Sequence, residues 1–368
     1  MKIDSCLFSP FALRNLTLEN RLVVSPMCQY SADDGCASSW HTIHIGSMLS
    51  SGAGLFVIEA TAVERRGRIT PQCLGLWSDE NAAALKSVLA AVRQYSAVPV
   101  GVQLSHAGRK ASTHRPFIGK GPLKHSEGAW PVMGPSAIPF AEGWPVPQSM
   151  SLEDMRVVID AYVSATKRAD EIGIDLIELH AAHGYLLSAF LSPLANDRRD
   201  AYGGSLENRM RFPLEVFDAV RGAWPEGKPM GVRCNGTDWH PDGIQVEDAV
   251  AFARALRDRG CDYIDVSSGG NCYAKVPVGP SYQVPFAEQI RKQSGLSTMA
   301  VGMITEPCQA EEILSTGKAD LIGIGRAMLN NPHWPWRAAE TLGGQVGVPW
   351  QYYRAATRNG VPPPYVVN

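Results

Sequence analysis

A single closed barrel of eight parallel β-strands, each followed by a helix, is the α/β fold this sequence predicts, and three observations predict it. Eight short apolar or β-branched runs alternate with longer segments of helical spacing, the number that a (β/α)8 TIM barrel needs. Polar residues gather where those runs end, which is where such a barrel keeps its chemistry. The chain has 368 residues, 45% of them apolar and 19% charged, a size and composition that suit one domain over 1–368 with a full core and no need of disulfides.

The predicted strands, in order, are Leu22–Ser25, Leu55–Ala60, Val98–Leu104, Leu176–His180, Met230–Cys234, Tyr263–Ser267, Thr298–Val301 and Leu321–Ile324. Helical spacing fills the segments near Asn81–Tyr95, Leu152–Ile172, Leu206–Ala223 and Val246–Arg259. The second of these opens with Ser151 and has Asp154 three residues on, a capping-box arrangement. Residues 108–147, directly after the third strand, break the rhythm with many Gly, Pro and Trp and no period. Long insertions in barrels sit mostly on the catalytic face, so this one reads as an active-site lid, with a plain surface excursion as the alternative.

The composition narrows the function. A formal net charge of -2 without a run of Lys or Arg argues against a nucleic-acid footprint and against a polybasic membrane anchor. Small molecules are the expected partners. The first ten residues lack a basic region followed by an apolar core, and no apolar run is long enough to span a bilayer, so a cytoplasmic location is expected. The eight cysteines, Cys6, Cys28, Cys36, Cys73, Cys234, Cys261, Cys272 and Cys308, form no Cys-x-x-Cys pair and no zinc-like spacing with His. Free thiols are expected.

Cys28 follows the first strand, Gln103 lies in the third, His180 and His183 end the fourth, Arg233 the fifth and Ser267 the sixth. Gly302 follows the seventh, and Gly325 with Arg326 the eighth. Backbone N–H groups at these glycines with a guanidinium suit a phosphate, although Gly after a strand is also ordinary turn chemistry. The hexapeptide His180–Tyr185 puts two imidazoles and a phenol into one short turn at the mouth of the barrel. Three readings stay open: zinc ligands, which need a third protein ligand that is not evident; neutral donors to an anionic oxygen; and a hydrogen-bonded structural pair.

At this point the chain resembles the old yellow enzyme family over essentially its whole length, and its Cys-containing, thermophilic-like bacterial subclass in particular. The resemblance rests on Asn20-Arg21, Ser25–Tyr30, Glu59–Val63, Gln103–Lys110, His180–Tyr185, Asn196–Arg198, Tyr202–Arg209, Gly325-Arg326 and Gln351–Arg354, in that order along the chain. It implies non-covalently bound FMN, with NADPH or NADH as electron donor. It assigns Ser25, Pro26, Met27, Cys28, Ala60 and Gln103 to the ring and ribityl chain, and Arg233 to the N1–C2=O edge where negative charge collects on reduction. Gly302, Gly325 and Arg326 would take the phosphate. Cys28 would tune the flavin potential through a weak S–H contact, its alternative being a small buried hydrophobe.

The same resemblance implies reduction of electron-poor C=C bonds in α,β-unsaturated carbonyls and nitroalkenes. His180 and His183 would hold the substrate oxygen, hydride would pass from flavin N5 to the β-carbon, and Tyr185 would protonate the α-carbon. Tyr30, and Arg354 from a neighbouring subunit, match substrate-contacting positions, which implies a homodimer or homotetramer with the tail, residues 343–368, at a subunit interface. A solvated tail residue is the alternative for Arg354. The larger iron–sulfur members of the superfamily would need cysteines beyond strand eight, and the last one here is Cys308. Two further readings remain: a metal-assisted hydrolase built on His180 and His183, and a flavin-binding redox sensor without turnover.

Overall fold

The computed structural model describes residues 5–356 and 365–367. Its eight barrel strands are β1 (Leu22–Val24), β2 (Leu55–Ala62), β3 (Val100–Ser105), β4 (Leu176–Ala181), β5 (Met230–Asn235), β6 (Tyr263–Ser267), β7 (Ser297–Ala300) and β8 (Leu321–Ile324). All pair in parallel and in sequence order, and β8 pairs with β1 to close the barrel. The helices between and after them are α1 (Ser39–Leu49), α2 (Asp79–Val92), α3 (Leu152–Glu171), α4 (Leu206–Ala223), α5 (Val246–Arg257), α6 (Val284–Ser294), α7 (Pro307–Ser315) and α8 (Trp334–Leu342).

Alternation along each strand builds two apolar layers. In β2, Leu55 and Val57 join the barrel interior while Phe56 and Ile58 pack outward against the helices. The same alternation runs through β4, where Leu176 faces in and Ile177 and Leu179 face out. An antiparallel hairpin, Phe11–Leu13 with Leu16–Leu18, places Leu13 and Leu18 in the same cluster as Val23, Leu55, Val57 and Leu176. It plugs the N-terminal end of the barrel. Higher up, the interior turns polar: Gln103, Glu178, Gly231 and Tyr263 share one rung, and His180, Arg233, Asp265 and Met299 the next.

Several predicted boundaries shift. The helix expected from Asn81 starts at Asp79, because Ser78 is the cap whose hydroxyl accepts from Asn81 N at 3.3 Å, and Asp79 and Glu80 sit in the first turn, where the helix dipole favours acids. It ends at Val92, short of Tyr95. The capping box at Ser151 and Asp154 is present, with Asp154 N to Ser151 Oγ at 3.1 Å and Ser151 N to Asp154 Oδ2 at 2.9 Å. Ser25 lies just past the end of β1, although its N–H still bonds Ile324 O at 3.1 Å. β3 starts at Val100, two residues later than expected, since Pro99 precedes it and has no N–H to donate to the ladder. β7 runs one residue earlier than expected and ends at Ala300.

Residues 108–147 hold two short 3-10 turns and a two-residue strand, Met133–Gly134, paired with Gln148–Ser149. Phe117 meets Tyr30 edge-on at 6.3 Å and Phe140 meets Tyr273 at 5.0 Å, so the segment touches the loops after β1 and β6 on the C-terminal face. The tail starts at the other end: Val346 and Gly347 approach Gly52 ahead of β2, and Val346–Val348 pairs with Tyr365–Val367. The rest of the tail assignment, residues 357–364 and 368, lies outside the described residues. Among the described residues no helix is long and apolar enough to cross a membrane.

Candidate active site

Strand β4 ends in the turn that carries the imidazoles. His183 adopts φ +61° and Gly184 φ +74°; a Cβ on Gly184 would stand 2.0 Å from Gly270 O, so the turn is wedged against the loop after β6. His183 N is held by Asn235 Oδ1 at 3.1 Å. Because Ala182 N–H points at His180 Nδ1 (3.4 Å), the neutral His180 carries its proton on Nε2, which faces His183 Nδ1 at 3.3 Å. His183 Nε2 then donates to Ser267 Oγ at 2.6 Å. Burial, with Arg233 and Lys110 adding positive charge, holds both imidazoles well below their ordinary pKa. They are neutral at physiological pH.

Tyr185 caps the short helix Leu186–Leu191, and its ring meets His180 edge-on at 5.0 Å. Burial first, and then the neighbouring Cys28 and Tyr30, push the phenol well above its usual pKa, so it keeps its proton. Lys110 Nζ donates to His183 O (2.7 Å) and Gly270 O (2.9 Å) and lies 5.3 Å from the centre of the Tyr185 ring. Burial and the adjacent Arg109 lower its pKa to about 8.

On β2 the ladder slips between Ile58 and Ala60. This bulge pairs Ala60 with Gln103 on the inner face and releases Glu59 sideways, where its Oε2 accepts from Gln29 N (2.9 Å) and its Oε1 lies 3.4 Å from His41 Nε2. Glu59 thus anchors the loop that carries Cys28 and Tyr30. The Cys28 thiol is pushed well above its ordinary pKa by burial and by Glu59, and hydrogen bonds to Tyr30 and to the backbone of Ala60 only partly offset that. It is a thiol, not a thiolate. Tyr30 sits at φ +51°, a left-handed conformation that is uncommon outside glycine.

Beside this cluster opens a cavity of about 280 Å³ lined by Ser25, Pro26, Met27, Arg233, Gly302, Gly325 and Arg326, with Ser267 and Gln283 joining it to His183. The seven named first come from the ends of four strands and were all expected at a cofactor site. Ala60 and Gln103 sit together on the inner face, with Gln103 Nε2 bonded to Glu178 Oε1 at 2.8 Å. Arg354 does not join the site within its own chain: it is exposed, and the neighbouring Trp350 and Gln351 line a separate hollow with Gly52–Gly54 and Ala97–Pro99 at the strand N-termini. Among the described residues, no group of three or more His, Cys, Asp or Glu is placed to hold a metal ion.

The donor set fits FMN. Ser25 Oγ is buried, lines the cavity and has no hydrogen-bond partner among the described residues. A Cβ on Gly323 would stand 2.8 Å from that hydroxyl, and Gly302, at φ +113°, has a conformation closed to other residues. Arg326 is exposed and, among the described residues, its guanidinium bonds Met303 Sδ at 3.3 Å. A polar ribityl chain and a phosphate suit a hydroxyl, small backbone surfaces and a guanidinium placed in this way.

Gln283 carried no signal in the sequence, for it stands at the head of α6 after an aperiodic stretch. Ser267 was visible as a polar strand end without a role, and Lys110 lay inside a recognised motif. Glu178 and Asp265 had a legible signal, a carboxylate in the middle of an otherwise apolar strand.

Residues 6–345 match the model of the NADH:flavin oxidoreductase / NADH oxidase family. The NADPH dehydrogenase of Geobacillus sp. (strain WCH70) is 46% identical over 354 residues, 96% of this chain and 99% of that one. Among solved structures, morphinone reductase in complex with tetrahydroNAD superimposes with a TM-score of 0.76 at 27% identity, covering 91% of each chain. 2-Naphthoyl-CoA reductase shares the fold with a TM-score of 0.84 at 21% identity; the match covers 91% of this chain but only 52% of that longer one. The chain is an FMN-dependent oxidoreductase and belongs to the NADH:flavin oxidoreductase / NADH oxidase family, the old yellow enzymes.

Proposed function

We propose that this enzyme uses NADPH to reduce activated C=C bonds in α,β-unsaturated carbonyls and nitroalkenes. The observation that carries the reading is a protonated phenol, Tyr185, whose ring lies 5.0 Å from His180 in a pair of neutral imidazoles beside the flavin cavity. FMN, when bound, supplies the hydride carrier between the nicotinamide and the substrate β-carbon.

The residues of the chain do the rest. On substrate binding His180 and His183 turn their N–H groups from His183 Nδ1 and Ser267 Oγ to the carbonyl or nitro oxygen and stabilise the enolate-like charge as it develops. Their low basicity means that they remain hydrogen-bond donors and are not themselves deprotonating acids at neutral pH. Tyr185 gives its hydroxyl proton to the α-carbon. Arg233 would set positive charge at the edge of a bound ring, Gln103 would hold its pyrimidine, and Ser25, Pro26, Met27, Cys28 and Ala60 would border the ring and ribityl chain. Gly302, Gly325 and Arg326 would hold the phosphate. Cys28, kept as a thiol, adjusts the flavin potential, and Tyr30 borders the substrate.

NADPH as donor is supported by the names of the bacterial relatives, and use of one site for donor and acceptor makes the kinetics ping-pong. A homodimer or homotetramer would bring Arg354 of one subunit to the site of the next, and the 108–147 segment would cover the substrate. A cytoplasmic setting completes the reading.

The test is anaerobic reduction of the purified protein by NADPH, followed at the visible flavin band, and then addition of 2-cyclohexenone. Bleaching and recovery of the band are expected. Bleaching without recovery would remove enones from the reading and leave an NADPH-dependent flavoprotein with another acceptor.

A further inference from the structure

Two carboxylates inside the barrel have no task in the reaction described so far. Glu178 on β4 and Asp265 on β6 are both fully buried, and Arg233 projects between them from β5. Arg233 Nε lies 3.1 Å from Asp265 Oδ2, yet without hydrogen-bond alignment, so that among the described residues both Asp265 oxygens and Arg233 Nε lack a hydrogen-bond partner. Glu178 is better held, accepting from Gln103 Nε2 at 2.8 Å on one oxygen and from Tyr263 OH at 2.9 Å on the other. Tyr263 reaches it only because the residue between them is glycine: a Cβ on Gly231 would stand 2.2 Å from the tyrosine ring.

The remaining titratable groups around the pair are Tyr263, His180 one rung above, and the thiols Cys234 and Cys261 on the outer side. None of these brings positive charge: His180 is neutral, and the tyrosine and both thiols are held protonated by burial. One guanidinium therefore faces two carboxylates. An ionised carboxylate without a partner is strongly disfavoured in such a space, so the more stable state keeps a proton on one of them. Burial and Asp265 push Glu178 up to about 8, and burial pushes Asp265 to about 6 in spite of Arg233. Arg233 also lines the flavin cavity. Any negative charge arriving there competes with Asp265 for the same cation.

We propose that Glu178 and Asp265 form a proton store beneath the flavin cavity, which binds one solvent proton when hydride arrives above Arg233 and releases it when hydride leaves. The charges balance. Hydride from NADPH brings both electrons and its own hydrogen, leaving NADP+ and one added negative charge on the cavity side of Arg233. A solvent proton then forms an O–H bond on one of the two carboxylates, and no electron moves in that step. When hydride departs to the substrate with its electron pair, that O–H bond breaks and the proton returns to solvent. The protonation of the α-carbon by Tyr185 is separate. The inference rests on occupancy of the cavity by FMN, which the visible band reports independently.

The experiment mixes holoenzyme with stoichiometric NADPH anaerobically, in weak buffer containing a pH indicator, near neutral pH. About one proton should leave solution per flavin reduced; Asp265→Asn should lower that count towards zero, and Glu178→Gln should lower it less, because Glu178 already holds the first proton of the pair near neutral pH, while both retain the flavin band. Reduced-minus-oxidised infrared spectra of the wild-type enzyme should show a new carboxylic-acid C=O band that shifts in D2O; this holds the proposal to account even where a variant fails to fold. No proton uptake by the wild type, uptake unchanged in both variants, or no such band would overturn it. A colourless protein would sink the flavin assignment itself.

Discussion

The lower and upper halves of the barrel interior are built from the same eight strands and solve opposite problems. Below, Val23, Leu55, Val57, Leu176 and Leu321 close on the N-terminal hairpin as an apolar plug. Above, at inward-facing positions nearer the C-terminal ends of the strands, stand Glu178, His180, Arg233 and Asp265. The plug gains from burial at about 1.5–3 kcal/mol for each large side chain removed from water. The upper half surrenders that gain to hold charge, neutral imidazoles and a cavity. Stability and chemistry are thus separated along the barrel axis, within single strands, so substitutions in one half should leave the other largely unmoved.

The sharpest test of this division lies in the upper half. Tyr185→Phe should slow reoxidation by an enone by about 10²–10⁴-fold while reduction by NADPH and the melting temperature stay close to wild type; stopped-flow traces of the two half-reactions separate these. An equal loss in both would make the phenol a packing group. In the lower half Leu176→Ala should cost about 2–5 kcal/mol in denaturant unfolding and leave the flavin spectrum and both half-reactions in place. Coupled loss of flavin would break the comparison.

Smaller effects probe its edges. Arg326→Ala should weaken FMN binding to the apoprotein by about 10- to 100-fold, the scale of a charge-assisted hydrogen bond of about 1.5–3 kcal/mol. Fluorescence titration measures it, and unchanged affinity would move the phosphate elsewhere. The smallest effect belongs to His44 on α1, whose pKa burial lowers to about 4. The unfolded chain takes up the proton below about 6.5 and the folded one only below about 4, so stability is lost as pH falls across that window. The melting temperature should fall across that window, and His44→Gln should flatten that part of its curve against pH. The curve of the variant would otherwise superimpose on that of the wild type.

The strands were legible because alternation and length are local: all eight runs recur within two residues of their expected limits, and β6 and β8 match them at both ends. The cavity was legible for a different reason, since Ser25–Met27, Arg233, Gly302 and Gly325-Arg326 are each a strand end that the closed barrel must bring to one rim. Helix α1 escaped notice because its buried face includes His41 and His44, which no apolar period reveals. Gln283 escaped because its place depends on packing between the loop ahead of α6 and Ser267 and Ser268. The partner of Arg233 was hidden in plain view, for Asp265 sits inside a strand and the pairing exists only through the sheet register.

The bulge in β2 sets how much change in chain length each part of the protein tolerates. With Glu59 as the extra residue, Ala60 faces Gln103; deletion of one residue here would restore a regular ladder and turn a carboxylate or an aliphatic side chain into the barrel interior beside Gln103. Among the described residues no other barrel strand slips in this way, and the 40-residue excursion after β3 is tied to the rim by side chains, Phe117 and Phe140 through aromatic contacts and Arg109, Lys110 and Trp130 through hydrogen bonds. Natural variation in this lineage should therefore accumulate insertions and deletions in the excursion and almost none between Ile58 and Ala60, a pattern that reading frames in related genomes would display as a gap-free column beside a ragged one.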